Sequence, residues 1–505
     1  MIEAFFEALW LPFLIGMAST WALECLLIPR PVAPWRRPLA ATAVHLGVWT
    51  LAFAFELLLF RRPYFAVANV LAIQLLVVLV SNAKYQALRE PFVFPDFEYF
   101  TDAIRHPRLY LPFVSIWAIV LPAIGYAGLC YAAFRLEPGL LEAPGGVGHY
   151  VFALFVLTAF GVILCAGGRL LRPDFDAQRD LVRFGLLASL VSYWRAEQKV
   201  PELSDHFGFP PSGGLVANPA PDLVSIQSES FFDARQTYPA LRKDLLSEFD
   251  ALRAEALVHG ALTVPAWGAN TVRSEFAFLA GQAQGTLGVH RFNPYRRLAA
   301  FTTPSFVRLL KAQGYRTVCI HPYHATFYRR NVVLPKLGFD EFIDIAAFGQ
   351  EDRQGPYVGD KAVAEKVIAM LRRSDPRPLY VHVITMENHG PLHWEQVAPE
   401  EYRTVATQPL PDDCSDLIVY ARHLRNADAM FSSITGYLRE HDRAASLCVY
   451  GDHVPIMAEV YRTLGEPPGT TPYAIWHNRV AGRGGEQPAA LECLASIWLR
   501  ECYSA

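Results

Sequence analysis

The chain has 505 residues, 52% of them hydrophobic and 18% charged, where ordinary soluble domains carry about 25% charged residues. Its formal net charge of −3 leaves no cation excess to neutralise phosphates, which excludes a strongly basic nucleic-acid binder. Eight cysteines without a C-x-x-C pair exclude a disulfide-dense scaffold and a cysteine-ligated zinc cluster.

The apolar residues concentrate in the first third. Residues 9–28, 39–60, 64–80, 110–134 and 150–166 are each long enough, or nearly so, to cross a hydrocarbon layer as a helix, which takes ~20 residues. Glu24 and Glu56 near the ends of the first two stretches read as snorkelling or bonded to neighbours, rather than as marks of a transport path. The leading stretch has no basic region before it and no small-residue cleavage site, so it reads as a retained anchor. With the N-terminus inside, the inner loops hold Arg61, Arg62 and Arg135. The outer loops then hold Arg30, Arg36, Arg37, Lys84, Arg89, Arg105 and Arg108, so the positive-inside rule argues against an external C-terminal domain.

Residues 180–195 place Asp180, Arg183, Ser189 and Ser192 on one helical stripe, and Leu181, Phe184, Leu187, Val191 and Trp194 on another. Two readings stand equal: a helix lying along a bilayer surface, or one packed on a globular domain. The Pro- and Gly-rich run 209–222 reads as a linker. The expected regions are a five-helix membrane bundle at 1–172, a juxtamembrane helix and linker at 173–221, and a globular domain at 222–505.

In that last region short apolar runs at 223–227, 317–321, 379–385 and 447–450 read as buried strands, separated by helical patterns at 304–313, 360–373 and 415–440. Such alternation predicts an α/β domain with a mostly parallel central sheet, whose ligands bind beyond the carboxyl ends of the strands. The chemically interesting residues fall there. Glu229 follows the first strand in Gln-Ser-Glu-Ser-Phe, and Asp452-His453 follows the last. Together they offer oxygen and imidazole ligands to one divalent ion such as Mn²⁺, Mg²⁺ or Zn²⁺. Thr271, in Asn-Thr-Val-Arg-Ser-Glu-Phe, sits near a helix N-terminus, where a hydroxyl serves either as a nucleophile activated by a metal or base, or simply as a cap. His321, Tyr328 and Arg330 cluster after one strand, and Glu387-Asn388-His389-Gly390-Pro391 follows another. Arg330 suits a bidentate grip on a phosphate or a carboxylate, and Tyr328 suits stacking on or hydrogen-bonding a small polyol.

These motifs in this order resemble the lipoteichoic acid synthase branch of the sulfatase-like, alkaline-phosphatase superfamily, from about residue 222 to 473. The resemblance implies an alkaline-phosphatase/sulfatase-like domain after a bundle of five transmembrane helices. It implies one divalent ion, commonly Mn²⁺, held by Glu229, Thr271, Asp452 and His453, with Thr271 as nucleophile. It assigns substrate binding to His321, Tyr328, Arg330 and His389, with His389 also the first choice of proton donor and His321 the second. Tyr328 stands where the family usually has Trp. The implied activity is transfer of phosphoglycerol from phosphatidylglycerol to a glycan or polymer acceptor, by a multi-pass protein of the bacterial inner membrane. Its catalytic domain would face the periplasmic or extracellular side, contrary to the arginine count. The alternative is phosphoethanolamine transfer to lipid A or another envelope glycan.

Overall fold

The computed structural model describes residues 2–99, 116–142, 146–204, 207, 220–297, 303–373, 375–482 and 484–504. Two compact units divide the chain, Met1–Val200 and Pro201–Ala505. The predicted linker lies outside the described residues from 209 to 219, as do Arg105, Arg108 and the first residues of the fourth apolar stretch.

In the first unit each of the five apolar stretches contributes to a helix: Ile2–Glu24, Leu39–Phe60, Pro63–Leu88, Ile116–Leu136 and Gly146–Ala166. Among the described residues, three helices are long and apolar enough to cross a membrane: Leu39–Phe60, Pro63–Leu88 and Val147–Leu170. Phe13, Trp49, Phe53 and Leu57 fill the seam between helices, whereas Leu58, Leu76, Phe155 and Ile163 point outward. Both buried glutamates are bonded to neighbours. Glu24 accepts hydrogen bonds from Arg37 Nη1 at 2.5 Å and from the Leu186 amide at 2.8 Å, and Glu56 accepts one from Asn69 Nδ2 at 2.7 Å.

The expected single helix over 180–195 is instead two, Ala177–Phe184 and Leu186–Glu197, broken at Gly185 with φ of 79°. Most of both stripes faces inward, with Arg183 and Trp194 exposed. Leu181, Phe184 and Leu186 pack against Leu27, Ala41, Val44 and Val78 of the first unit. Asp180 is buried too, because the Asp174 and Phe175 amides and the Tyr193 hydroxyl all donate to its carboxylate. Satisfied in this way, the Asp180 carboxylate has no need of water.

The second unit is an α/β domain. Its strands are β1 Asp222–Ser228, β2 Val258–Thr263, β3 Arg316–Ile320, β4 Glu341–Ile343, β5 Arg353–Gln354, β6 Tyr357–Val358, β7 Leu379–Ile384, β8 Ala445–Gly451, β9 Thr471–His477, β10 Gly485–Glu486 and β11 Ala489–Ala490. The main sheet runs β10-β2-β9-β8-β1-β7-β3-β4, with β11 beside β2. Among the described pairings of that sheet only β2–β9 and β8–β9 are antiparallel, and β5 and β6 form a separate antiparallel pair. The four predicted strands are β1, β3, β7 and β8, which lie side by side in the order β8-β1-β7-β3, with β4 beyond β3 at the edge. Every residue of β1, β7 and β8 is buried, as expected of central strands covered on both faces. Val224 and Ile226 pack on one face with helix Ser415–Arg439, and Leu223 packs on the other with helices Thr271–Ala280 and Leu491–Ser504. All eight cysteines are free; Cys25 and Cys493 are exposed, while Cys319, Cys414, Cys448 and Cys502 are buried.

Candidate active site

Strands β1 and β8 are adjacent and parallel, with Ser228 in register with Gly451. The residues that follow therefore leave the sheet at one level, and this brings Glu229 beside Asp452 and His453. One ligand atom from each of the three lies within 4.8 Å of the other two, and all three side chains are buried. Gly451 is required by close approach: a Cβ there would stand 1.8 Å from the Phe231 carbonyl oxygen.

Hydrogen bonds leave the inward-facing atoms unoccupied. Asp452 Oδ1 accepts from the Ser230 amide at 2.8 Å, and His453 Nδ1 lies 3.1 Å from the Val454 carbonyl, which fixes the proton on that nitrogen. Asp452 Oδ2 and His453 Nε2 are then buried polar atoms without a hydrogen-bond partner, 3.4 Å from each other. Burial, and next the Glu229 carboxylate, push the Asp452 carboxyl well above the usual range. Burial pulls the His453 imidazole down, and Glu229 partly opposes it. Two carboxylates and an imidazole lone pair converging on one buried point fit a divalent cation, which would offset both the repulsion and the lost hydration. Ser230 supports the set: its hydroxyl donates to Glu229 Oε1 at 2.9 Å and lies 3.3 Å from His453 Nδ1.

Thr271 opens helix Thr271–Ala280, and its hydroxyl donates to Glu229 Oε2 at 3.4 Å. It does not cap. Asn270 holds the cap position in the left-handed conformation, with φ of 69° and no side-chain capping bond. Ser274 Oγ donates to the Asp452 carbonyl at 2.6 Å and so fastens this helix to the end of β8.

The second group of predicted residues surrounds a buried ion pair. Arg330 donates from Nε (3.0 Å) and Nη2 (2.8 Å) to Glu275 Oε2, and its Nη1 lies 3.0 Å from His321 Nε2. Three of the five guanidinium N–H groups are thus committed to protein partners, and two remain. His321 Nδ1 lies 3.1 Å from the Ile384 carbonyl, so both imidazole nitrogens are occupied. Burial, followed by the Arg330 charge, holds His321 well below its ordinary pKa. The Tyr328 ring is half-buried with its centroid 5.3 Å from the Arg330 guanidinium carbon. His389 is half-buried as well; its Nδ1 lies 2.7 Å from the Gly390 carbonyl and 3.3 Å from the Tyr357 hydroxyl. Its neighbour Asn388 donates to the Glu229 carbonyl at 3.2 Å.

Three participants escaped the sequence reading. Ser230 and Glu275 lay inside motifs already quoted, but their partners are distant in sequence. Asp360 and Glu387 form a further buried carboxyl pair in which Glu387 accepts the Asp360 amide at 2.6 Å. Burial, then Glu387 and Glu229, push the Asp360 carboxyl well up.

Residues 221–491 match the protein-family model described as Sulfatase. The chain is 28% identical over 444 residues to the capsular polysaccharide biosynthesis protein RkpI of Rhizobium meliloti (strain 1021), covering 84% of this chain and 79% of that one. It is 25% identical over 179 residues to lipoteichoic acid synthase 1 of Bacillus subtilis (strain 168), covering 34% of this chain and 26% of that one. Among solved structures, the integral membrane lipooligosaccharide phosphoethanolamine transferase A from Neisseria meningitidis shares its fold. The TM-score is 0.54 at 10% identity, over 91% of this chain and 88% of that one.

Proposed function

The chain belongs to the sulfatase family of the alkaline-phosphatase superfamily, and from that premise we propose that it is a membrane-anchored phosphoglycerol transferase. Its donor is phosphatidylglycerol, its acceptor an envelope glycan or polymer, and its intermediate a glycerophosphate ester of Thr271. The observation that carries this reading is the Thr271 hydroxyl, buried at a helix N-terminus 3.4 Å from Glu229 Oε2, at the edge of a carboxylate–imidazole cluster with unpartnered atoms. Similarity to a capsular polysaccharide biosynthesis protein supports a glycan acceptor.

Glu229, Asp452 and His453, with Thr271 Oγ1, would hold one divalent ion, for which we assign Mn²⁺ ahead of Mg²⁺ and Zn²⁺. When bound there, such an ion supplies Lewis-acid charge and lowers the pKa of a neighbouring hydroxyl. Glu229, which accepts the hydrogen bond of the Thr271 hydroxyl, takes its proton as the threonine oxygen forms a bond to the donor phosphorus. The phosphorus–oxygen bond to diacylglycerol breaks, and His389 gives the leaving oxygen its proton. His321 is unsuited to that task, since Arg330 occupies its Nε2 and burial keeps it neutral. The N-terminus of helix Thr271–Ala280 and the two uncommitted N–H groups of Arg330 meet the phosphoryl oxygens. An acceptor hydroxyl then forms the second phosphorus–oxygen bond and its proton passes back to His389, while the bond from phosphorus to the Thr271 oxygen breaks and that oxygen recovers the proton held by Glu229. Tyr328 walls the glycerol side.

We further assign all five helices of residues 1–172 as membrane spans, residues 173–221 as the connection, and residues 222–505 as a catalytic domain on the periplasmic side of a bacterial inner membrane. Mass spectrometry of the full-length protein incubated with Mn²⁺ and phosphatidylglycerol tests the chemistry. The expected result is a glycerophosphate adduct on Thr271 that is absent from Thr271→Ala. An adduct formed only from phosphatidylethanolamine would replace this donor with the other, and full lipid turnover by Thr271→Ala would end the proposal.

A further inference from the structure

Thr271 and Glu275 are four residues apart on one helix, and so lie on one face a single turn from each other. Thr271 borders the carboxylate–imidazole cluster, while Glu275 is fully buried beneath it. Its Oε2 takes both Arg330 hydrogen bonds described above, and its Oε1 accepts the Tyr295 hydroxyl at 2.6 Å. A guanidinium can only donate, so the 3.0 Å contact between Arg330 Nη1 and His321 Nε2 requires that imidazole nitrogen to accept. The proton of the neutral ring must then sit on Nδ1, directed at the Ile384 carbonyl. An unbroken chain of bonds thus runs from the nucleophile helix through a carboxylate and a guanidinium to the histidine at the end of β3. No bond in it reaches solvent, since Arg330 and Glu275 are 1% and 0% exposed.

We infer that Glu275 is a positioning residue for the transfer reaction proposed above: it aims Arg330, and through Arg330 fixes the tautomer and orientation of His321. The charges explain why Glu275 is needed. A buried guanidinium without a counter-charge is strongly disfavoured, and would reorient toward water rather than remain against His321. Tyr295 holds the carboxylate from its other side, so the pair has one orientation. Phosphate binding then depends on a carboxylate that touches neither phosphate nor cation. This inference rests on the transfer reading for its kinetic arm alone.

The test uses full-length protein in detergent with Mn²⁺, comparing wild type with Glu275→Gln, Arg330→Lys and the double variant. With phosphatidylglycerol in mixed micelles, Glu275→Gln is expected to lower kcat/KM by ~10–100-fold, mainly through KM, at unchanged metal content. Arg330→Lys keeps the charge but loses the fork, and adding Glu275→Gln to it should cost less than ~2-fold more, because both act through one path. Losses that multiply instead would overturn the inference. Nitrogen NMR of histidine-labelled protein reads the ring directly. Wild type should show His321 protonated on Nδ1, and Glu275→Gln should shift it toward a mixture. A wild-type ring protonated on Nε2, or a spectrum unmoved by the substitution, would overturn it too. If Glu275→Gln does not fold, Tyr295→Phe should move the same signals by a smaller amount, and no movement counts against the inference. Should the wild type turn over no phosphatidylglycerol, the transfer reading fails while the spectra still decide the present point.

Discussion

Asp452 Oδ2 and His453 Nε2 show how an acid and an imidazole in sequence neighbours make a candidate metal site: their outer atoms are tied to backbone and their inner atoms have no hydrogen-bond partner. Ser230 braces two of the three ligands, so Ser230→Ala should weaken Mn²⁺ binding by ~10–100-fold in calorimetric titration, with the ligands themselves intact. The raised Asp452 carboxyl gives a pH signature. A carboxyl that holds its proton more tightly folded than unfolded destabilises the fold as pH rises above the ordinary carboxylate value of ~3.9. The chelated protein should therefore melt at a temperature that falls as the pH is raised from about 4 toward 8. Asp452→Asn should flatten that slope, raise the melting temperature of the chelated protein at pH 8, and abolish metal binding. Glu229, Thr271, Asp452 and His453 were legible in the sequence because each directly follows a strand or opens a helix, which local pattern reveals. The burial of Arg330 against Glu275 was not, because the two are 55 positions apart and only the folded chain makes them partners.

Among elements, continuous apolar runs located the central strands β1, β3, β7 and β8, since a strand covered on both faces leaves no polar alternation to confuse. The flanking β2 was missed for the opposite reason: its residues alternate between buried and exposed, and its run is short of apolar residues. Strand β9, antiparallel to both neighbours, did not fit the strand–helix rhythm. Glycines carried information that propensity alone does not. In Gly185→Ala the added carbon would lie 2.0 Å from Arg37 Nη1, in an extended positive-φ conformation that itself costs ~1–3 kcal/mol. The variant should lower the melting temperature of the detergent-solubilised protein and expose the 177–197 segment to protease. Gly451→Ala forces a carbon against the Phe231 carbonyl oxygen, which cannot give way as a flexible side chain would. Its expected effect is about 1–3 kcal/mol lost from the second unit, with weaker metal binding, read by melting and titration together.

For the whole molecule, hydropathy located all five helices, while three of them among the described residues meet the length and apolarity of a span. The cations counted in the loops include Arg37, paired with Glu24, and Lys84, which donates to Glu90 and Asp96 at 2.6 Å each. Orientation is open to direct measurement. The proposed topology makes Cys493 reactive toward a membrane-impermeant maleimide added to cells with a permeabilised outer layer. Labelling only after lysis would place the second unit inside.

The same thiols have a separate use. With four cysteines buried, and the two exposed ones divided between the first unit (Cys25) and the second (Cys493), the natural chain carries one accessible attachment point on each body. Nitroxide spin labels attached there, after Cys130 and Cys165 are replaced by serine, would let pulsed dipolar spectroscopy follow the separation of the two units.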